Sequence, residues 1–250
     1  MWKRVIISVL AVWIAGCSQE AAPSDSTPDA PAYAAPPTAE RVEQKGGGMV
    51  AVSGRAGPDE RVRMIRLDGV AHGVTADGTG AFEIPATLGQ GIEPLFNLSV
   101  ERAGQSVSSD GWLYVPVAAP ERAVMLRVGG ASLPVGAAPL LAVVDMDGGG
   151  GVALSGRAEP DAEVRISIDG SARGTARAGP DGIWFSVLAL ALAPGNHQIS
   201  VTAGNQRDQR QLALAGVRAE GAVEAVQVDG AIRVAWALPG GGSQTTWILL

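Results

Sequence analysis

Val50-Ala51-Val52-Ser53-Gly54-Arg55-Ala56-Gly57-Pro58-Asp59 returns 102 residues later as Val152-Ala153-Leu154-Ser155-Gly156-Arg157-Ala158-Glu159-Pro160-Asp161. Carried upstream, the same offset pairs Pro37 with Pro139, Val42 with Val144, and Gly46-Gly47-Gly48 with Gly148-Gly149-Gly150. Downstream it slips by single residues, as insertions in turns do. Asp68-Gly69 meets Asp169-Gly170, Gly80-Ala81-Phe82 meets Gly182-Ile183-Trp184, and Leu98-Ser99-Val100 meets Ile199-Ser200-Val201. Self-similarity over about 100 residues marks a duplicated unit of domain size.

Inside each unit the periodicity is that of strands. Glu163-Val164-Arg165-Ile166-Ser167-Ile168 alternates polar with apolar, and Arg61-Val62-Arg63-Met64-Ile65-Arg66-Leu67 does so until Met64-Ile65. Asp-Gly pairs at 68–69, 77–78, 169–170, 181–182 and 229–230 border such runs, a strong short-range hairpin signal. Asp68, Asp77, Asp169 and Asp181 are read as turn formers that bond their own backbone. Val226 to Val234 reads as a tight hairpin, and Thr245 to Leu250 as a last strand of the second unit, with donation to a partner's sheet as the alternative. Leu188 to Ala193, before Pro194-Gly195-Asn196, is expected to be a loop or short turn.

The second unit reads Ser155-Gly156-Arg157-Ala158-Glu159-Pro160-Asp161, then Asp169-Gly170, Asp181-Gly182-Ile183-Trp184-Phe185, and Pro194-Gly195-Asn196-His197-Gln198-Ile199-Ser200-Val201-Thr202-Ala203. This succession resembles the bacterial Ig-like domains of surface and periplasmic proteins. The first unit matches more weakly, with Phe82 in the place of Trp184. Pro139 to Asp169 also resembles the Ig-like segments of alphaproteobacterial proteins that carry a peptidoglycan-binding lysin motif, although no Gly-Asp-Thr-Leu core occurs here. The resemblance implies an all-β chain of two tandem Ig-like β-sandwiches, over 37–138 and 139–250.

Ahead of them, Lys3-Arg4 and the apolar run from Val5 to Ala15 have the form of a helical secretory signal. The run is too short for a permanent span, which needs about 20 residues. Ile14-Ala15-Gly16-Cys17 resembles the lipobox of bacterial lipoproteins. That implies a signal peptide over 1–16, cleavage before Cys17, and lipid on that cysteine, with the membrane as its partner. Ser18 in place of aspartate resembles the signal for outer-membrane sorting, on the periplasmic side. Residues 17–36 carry Pro23, Pro28, Pro31 and Pro36 with little to bury, and are expected to form a disordered tether.

Cys17 is the chain's only cysteine, so no internal disulfide is possible. Without Lys3 and Arg4 the chain carries 17 basic against 25 acidic residues, which argues against nucleic acid. His72 and His197 are the only histidines, so a two-histidine metal site would need both. Ala51 and Ala153 stand where a nucleophile elbow around Ser53 or Ser155 needs glycine. Asp145-Met146-Asp147-Gly148 faintly resembles the start of a calcium loop but lacks the closing glutamate. No catalytic residue, cofactor or metal is assigned. Trp184 is expected in the core, whereas Trp112 and Trp247 are candidates for a sugar-stacking or partner surface. The expectation is a non-enzymatic cell-envelope lipoprotein with its modules as spacer or protein-binding scaffold. Peptidoglycan or polysaccharide binding is the alternative; for an envelope hydrolase the residues offer no nucleophile–base pair.

Overall fold

In a computed structural model of the chain, residues 35–250 except Gln90 are described. The signal-peptide, Cys17 and most tether assignments lie outside them. No α-helix occurs among the described residues. The first unit supplies β1 (Thr38–Gly46), β2 (Met49–Arg55), β3 (Arg61–Arg66), β4 (Ala71–Thr75), β5 (Ala81–Thr87), β6 (Leu95–Arg102), β7 (Gln105–Ser108), β8 (Trp112–Tyr114), β9 (Val124–Leu126) and β10 (Leu133–Pro134). The second supplies β11 (Val143–Asp147), β12 (Gly151–Arg157), β13 (Glu163–Ile168), β14 (Ser171–Arg177), β15 (Ile183–Ala191), β16 (Gly195–Ala203), β17 (Gln206–Leu214), β18 (Val223–Val228), β19 (Ala231–Ala237) and β20 (Ser243–Leu249).

The duplication is visible in the pairing. β1-β2-β5 form one sheet of the first sandwich, and β11-β12-β15 pair in the same order in the second. The facing sheets contain β4-β3-β6 and β14-β13-β16. All pairings are antiparallel, with Val42 opposite Val52 matching Val144 opposite Leu154. The alternating strands place their apolar residues inward: Val62 and Met64 join one core, Val164 and Ile166 the other.

The repeated Ser-Gly-Arg has a steric cause. Gly54 lies opposite Phe82 and Gly156 opposite Trp184 across neighbouring strands. A side chain on Gly54 would run into the Thr38 carbonyl and the Phe82 ring, and one on Gly156 into the Leu140 carbonyl. The missing Cβ lets a large ring lie over bare backbone. Trp184 is fully buried there and its indole N–H donates to the Leu140 carbonyl at 2.8 Å. After each motif the Pro-Asp turn puts Asp59 and Asp161 at φ of 59° and 62°, a left-handed conformation that aspartate tolerates better than most residues.

The units are completed differently. In the first, β8, β9 and β10 extend the sheet beyond β6; in the second, β20, β19 and β18 extend the opposite sheet beyond β11. Val228 faces Ala231 around Asp229-Gly230, the tight hairpin read from the sequence. Two expectations need correction. Leu188 to Ala191 is strand, not loop: β15 continues through it, with a register shift against β12 past Val187 and the Leu188 side chain buried. The last strand is not free for donation, because β20 is paired on one side with β11 and on the other with β19.

Candidate functional site: the seam between the sandwiches

β8 and β9 bury both faces. Leu113 and Met125 point into the first core, whereas Tyr114, Val124 and Leu126 point out of it. These three meet Val143, Ile232, Val234, Trp236 and Ile248 of the second sandwich in a third apolar cluster. The sheet containing β11, β20 and β19 therefore has the second core on one side and the first sandwich on the other.

Asp145 sits in the middle of this seam, fully buried. Its carboxylate accepts hydrogen bonds from the Ser132 backbone N–H at 2.6 Å and the Ser132 hydroxyl at 2.8 Å. Thr246 Oγ1 at 2.6 Å and Gln244 Nε2 at 3.0 Å complete the set. Thr246 in turn lies 3.4 Å from the Trp236 indole nitrogen, and the buried Ser155 hydroxyl donates to the Ser132 carbonyl. Ser132 belongs to the segment joining β9 to β10, so one residue of the first sandwich is held at its N–H, hydroxyl and carbonyl by the second. Burial pushes the Asp145 carboxyl above the usual range, while its four donors work in the other direction.

This geometry also replaces the calcium reading. Asp145 spends its oxygens inside the seam, and Asp147 Oδ1 instead accepts from Gly149 and Gly151 N–H at 2.8 and 2.9 Å, shaping a turn. Among the described residues no group of three or more histidine, cysteine or carboxylate side chains is placed to hold a metal.

Beside the seam lies a cleft of about 530 Å³, walled by Met125, Leu133, Val135 and Ile183 with Arg127 and Arg157 at its rim. Arg127 pairs with Asp110 at 2.8 Å, and Arg157 Nη1 donates to the Asp181 carbonyl at 2.6 Å. No histidine lines this cleft. Its lining also includes Thr38, Glu40, Ser109, Asp110 and Asp181; Asp110 is paired with Arg127, and the Ser109 hydroxyl donates to the Gly111 carbonyl at 3.1 Å.

The remaining sequence candidates are dispersed. Trp247 is only 1% exposed and packs in the second core, so it is corrected from surface to core. Trp112 is half-buried against the seam cluster, and the two do not form a stacking platform. Ser53 Oγ lies 3.4 Å from Glu83 on the neighbouring strand. His72 sits on β4 of the first sandwich and His197 on β16 of the second. His197 uses both ring nitrogens, Nδ1 toward Asp169 at 2.8 Å and Nε2 toward the Ala193 carbonyl at 2.9 Å. The Asp169 carboxylate and the Ala193 carbonyl hold the imidazolium form, raising its pKa and lowering that of Asp169. Asp68, Asp77 and Asp181 each accept from the backbone N–H two residues on. Asp169 instead reaches across to the Gln198 N–H.

Sequence reading missed Ser132, Gln244 and Thr246. The available signal was the lone carboxylate within Val143-Val144-Asp145-Met146, since a charge on an apolar strand needs buried donors.

No protein-family model matches the chain, and no curated protein matches it. Among solved structures it is similar to one described as "Biofilm associated protein - BSP domain", at 12% identity and a TM-score of 0.23, over 67% of this chain and 28% of that one. A second is described as "Ca2+-stabilized adhesin helps an Antarctic bacterium reach out and bind ice", at 16% identity and a TM-score of 0.26, over 86% of this chain and 66% of that one. A third is the "Central Fibronectin-III array of RIM-binding protein", at 14% identity and a TM-score of 0.27, over 83% and 74%. The chain thus spans less than two thirds of the first two. The assignment of two tandem Ig-like sandwiches rests on the strand pairing and cores described above.

Proposed function

We propose that the chain is a non-enzymatic envelope lipoprotein, anchored through lipid on Cys17 in the outer membrane and facing the periplasm. Its two sandwiches act as one rigid spacer or protein-binding scaffold. The observation that supports this reading is the seam. Two domains meant to move independently would meet through a small polar contact, whereas here an apolar cluster and a buried carboxylate join them. A body of this kind holds a surface at a fixed orientation on a tether, which suits a scaffold. With Trp247 in the core, Trp112 and Trp247 do not share the sugar-stacking or partner surface expected of them.

The test is to express the full chain and its Cys17→Ser variant in a Gram-negative host, label with a palmitate analogue, and fractionate the envelope. The wild type is expected to take up label and sediment with the outer membrane, and the variant to be unlabelled and missing from the outer membrane. An unlabelled wild type, or a variant that is still labelled and sorted to the outer membrane, overturns the anchor. Recovery of a specific envelope protein on the anchored chain supports the scaffold role; co-sedimentation with purified sacculi instead transfers the reading to peptidoglycan.

A further inference from the structure

The two copies of the duplicated unit differ at one sheet edge. β5 ends its sheet in the first sandwich, and β15 occupies the same edge in the second. The Gly80 carbonyl accepts from Ala56 N–H at 2.9 Å, and the Gly182 carbonyl from Ala158 N–H at 3.0 Å. In both strands the even-numbered residues therefore bond inward along the ladder, and the odd-numbered ones turn their N–H and C=O outward. Ala81 and Ile183 spend theirs in the preceding turns, on Asp77 and on Gly179 and Asp181, so the open groups begin at Glu83 and Phe185. On β5 those positions hold Glu83 and Pro85. A charge, and a proline with no N–H to offer, are two devices that block edge pairing. At the offset of 102, β15 has Phe185 and Val187 instead. Their exposures are 52% and 63%, and Val187 restores the donor that Pro85 removes.

We infer that β15 is a self-association edge, pairing antiparallel with β15 of a second copy about a two-fold axis at Ser186. The occupant follows from charge and from side-chain fit. Ile183 to Ala191 carries no ionisable side chain, the longest such stretch among the sheet-ending strands, whereas β1, β14, β17 and β18 all carry charges. Two copies of an acidic chain can approach there without setting like charges opposite each other. Centred on Ser186, the register puts Phe185 opposite Val187 twice, an aromatic against a β-branched side chain on the outer face. The paired stretch, 184–188, reaches just into the register shift that begins past Val187. Arg127, 5.7 Å from the Phe185 ring centroid, covers that ring from the first sandwich and leaves it half exposed. Because an isologous contact closes on itself, the product is a dimer and not a fibre. Five paired residues bury an area at the low end of specific interfaces, so the association is expected to be weak and concentration-dependent.

Sedimentation equilibrium of the full chain, in detergent where lipidated, reads this directly. The expected result is a monomer–dimer equilibrium weakened at least about tenfold by Phe185→Glu and by Val187→Pro. Either substitution tests the edge alone: Val187→Pro copies what β5 already accommodates, and Phe185→Glu falls at an exposed position. In a Cys17→Ser background, Ser186→Cys is expected to form a disulfide-linked dimer on mild oxidation, since facing non-hydrogen-bonded residues have Cα atoms about 4.5 Å apart. Thr175→Cys on neighbouring β14 should not. A chain that stays monomeric up to about 1 mM, association unchanged by both edge substitutions, or equal cross-linking from position 175 overturns the proposal.

Discussion

Asp145 takes its carboxyl group into the buried seam with four hydrogen-bond donors against it. Such a group stabilises only while its donors are all engaged; removing it strands a backbone N–H, two hydroxyls and an amide in an apolar setting. Asp145→Ala is expected to lower unfolding stability by about 3 kcal/mol, measured by urea denaturation. A loss below about 1 kcal/mol would contradict the role given to the network. The pH dependence has a definite sign. With its folded pKa raised above the unfolded value, Asp145 contributes most below the ordinary carboxylate range, and part of that contribution is lost as pH rises through the folded pKa. The gap between wild type and variant should accordingly narrow from acidic toward neutral pH. In sequence, the anomaly of one carboxylate among valines is legible, but its donors are not, because Thr246 lies 101 residues away and Gln244 lies 99. Asp68, Asp77 and Asp181 were readable as turn formers because their acceptor role is completed two residues on, whereas the Asp169 partner Gln198 is distant in sequence.

At the scale of elements, the duplicated Ser-Gly-Arg strand and the aromatic strand beside it are the most legible feature of the chain. Their spacing is repeated, and the glycine has a local reason in the ring it faces. Gly156→Ala forces a methyl group against the Leu140 carbonyl, which belongs to backbone and cannot swing aside. The expected cost is about 3 kcal/mol, visible as a lower denaturation midpoint, with the Trp184 fluorescence displaced from its buried emission. A midpoint within error of the wild type would mean that the close approach is not required. Leu188 to Ala193 misled because leucine and alanine favour helix or turn locally, whereas the pairing of Ala191 with Gly151 is a long-range fact. Trp247 misled for a related reason: a tryptophan five residues after a Pro-Gly-Gly-Gly break reads as peripheral until β20 is seen between β11 and β19.

For the whole molecule, repetition in sequence suggests two beads, and the fold departs from that picture. The strands that are not duplicated, β8 to β10 and β18 to β20, supply most of the seam and pack against duplicated β11, which carries Val143 and Asp145. Their lack of internal similarity is what hid it, since a repeat search aligns only what recurs. Residues 35–250 consequently form one compact unit. Melting one sandwich would expose the outer face of β11, β19 and β20 together with Asp145 and its donors, so the two should unfold together. Differential scanning calorimetry of the chain tests this most directly. One transition is expected, with a van't Hoff enthalpy equal to the calorimetric value of roughly 150 kcal/mol near 60 °C for a body of this size. Two resolved transitions, or a van't Hoff enthalpy near half that value, would show two sandwiches that melt independently and would contradict the seam.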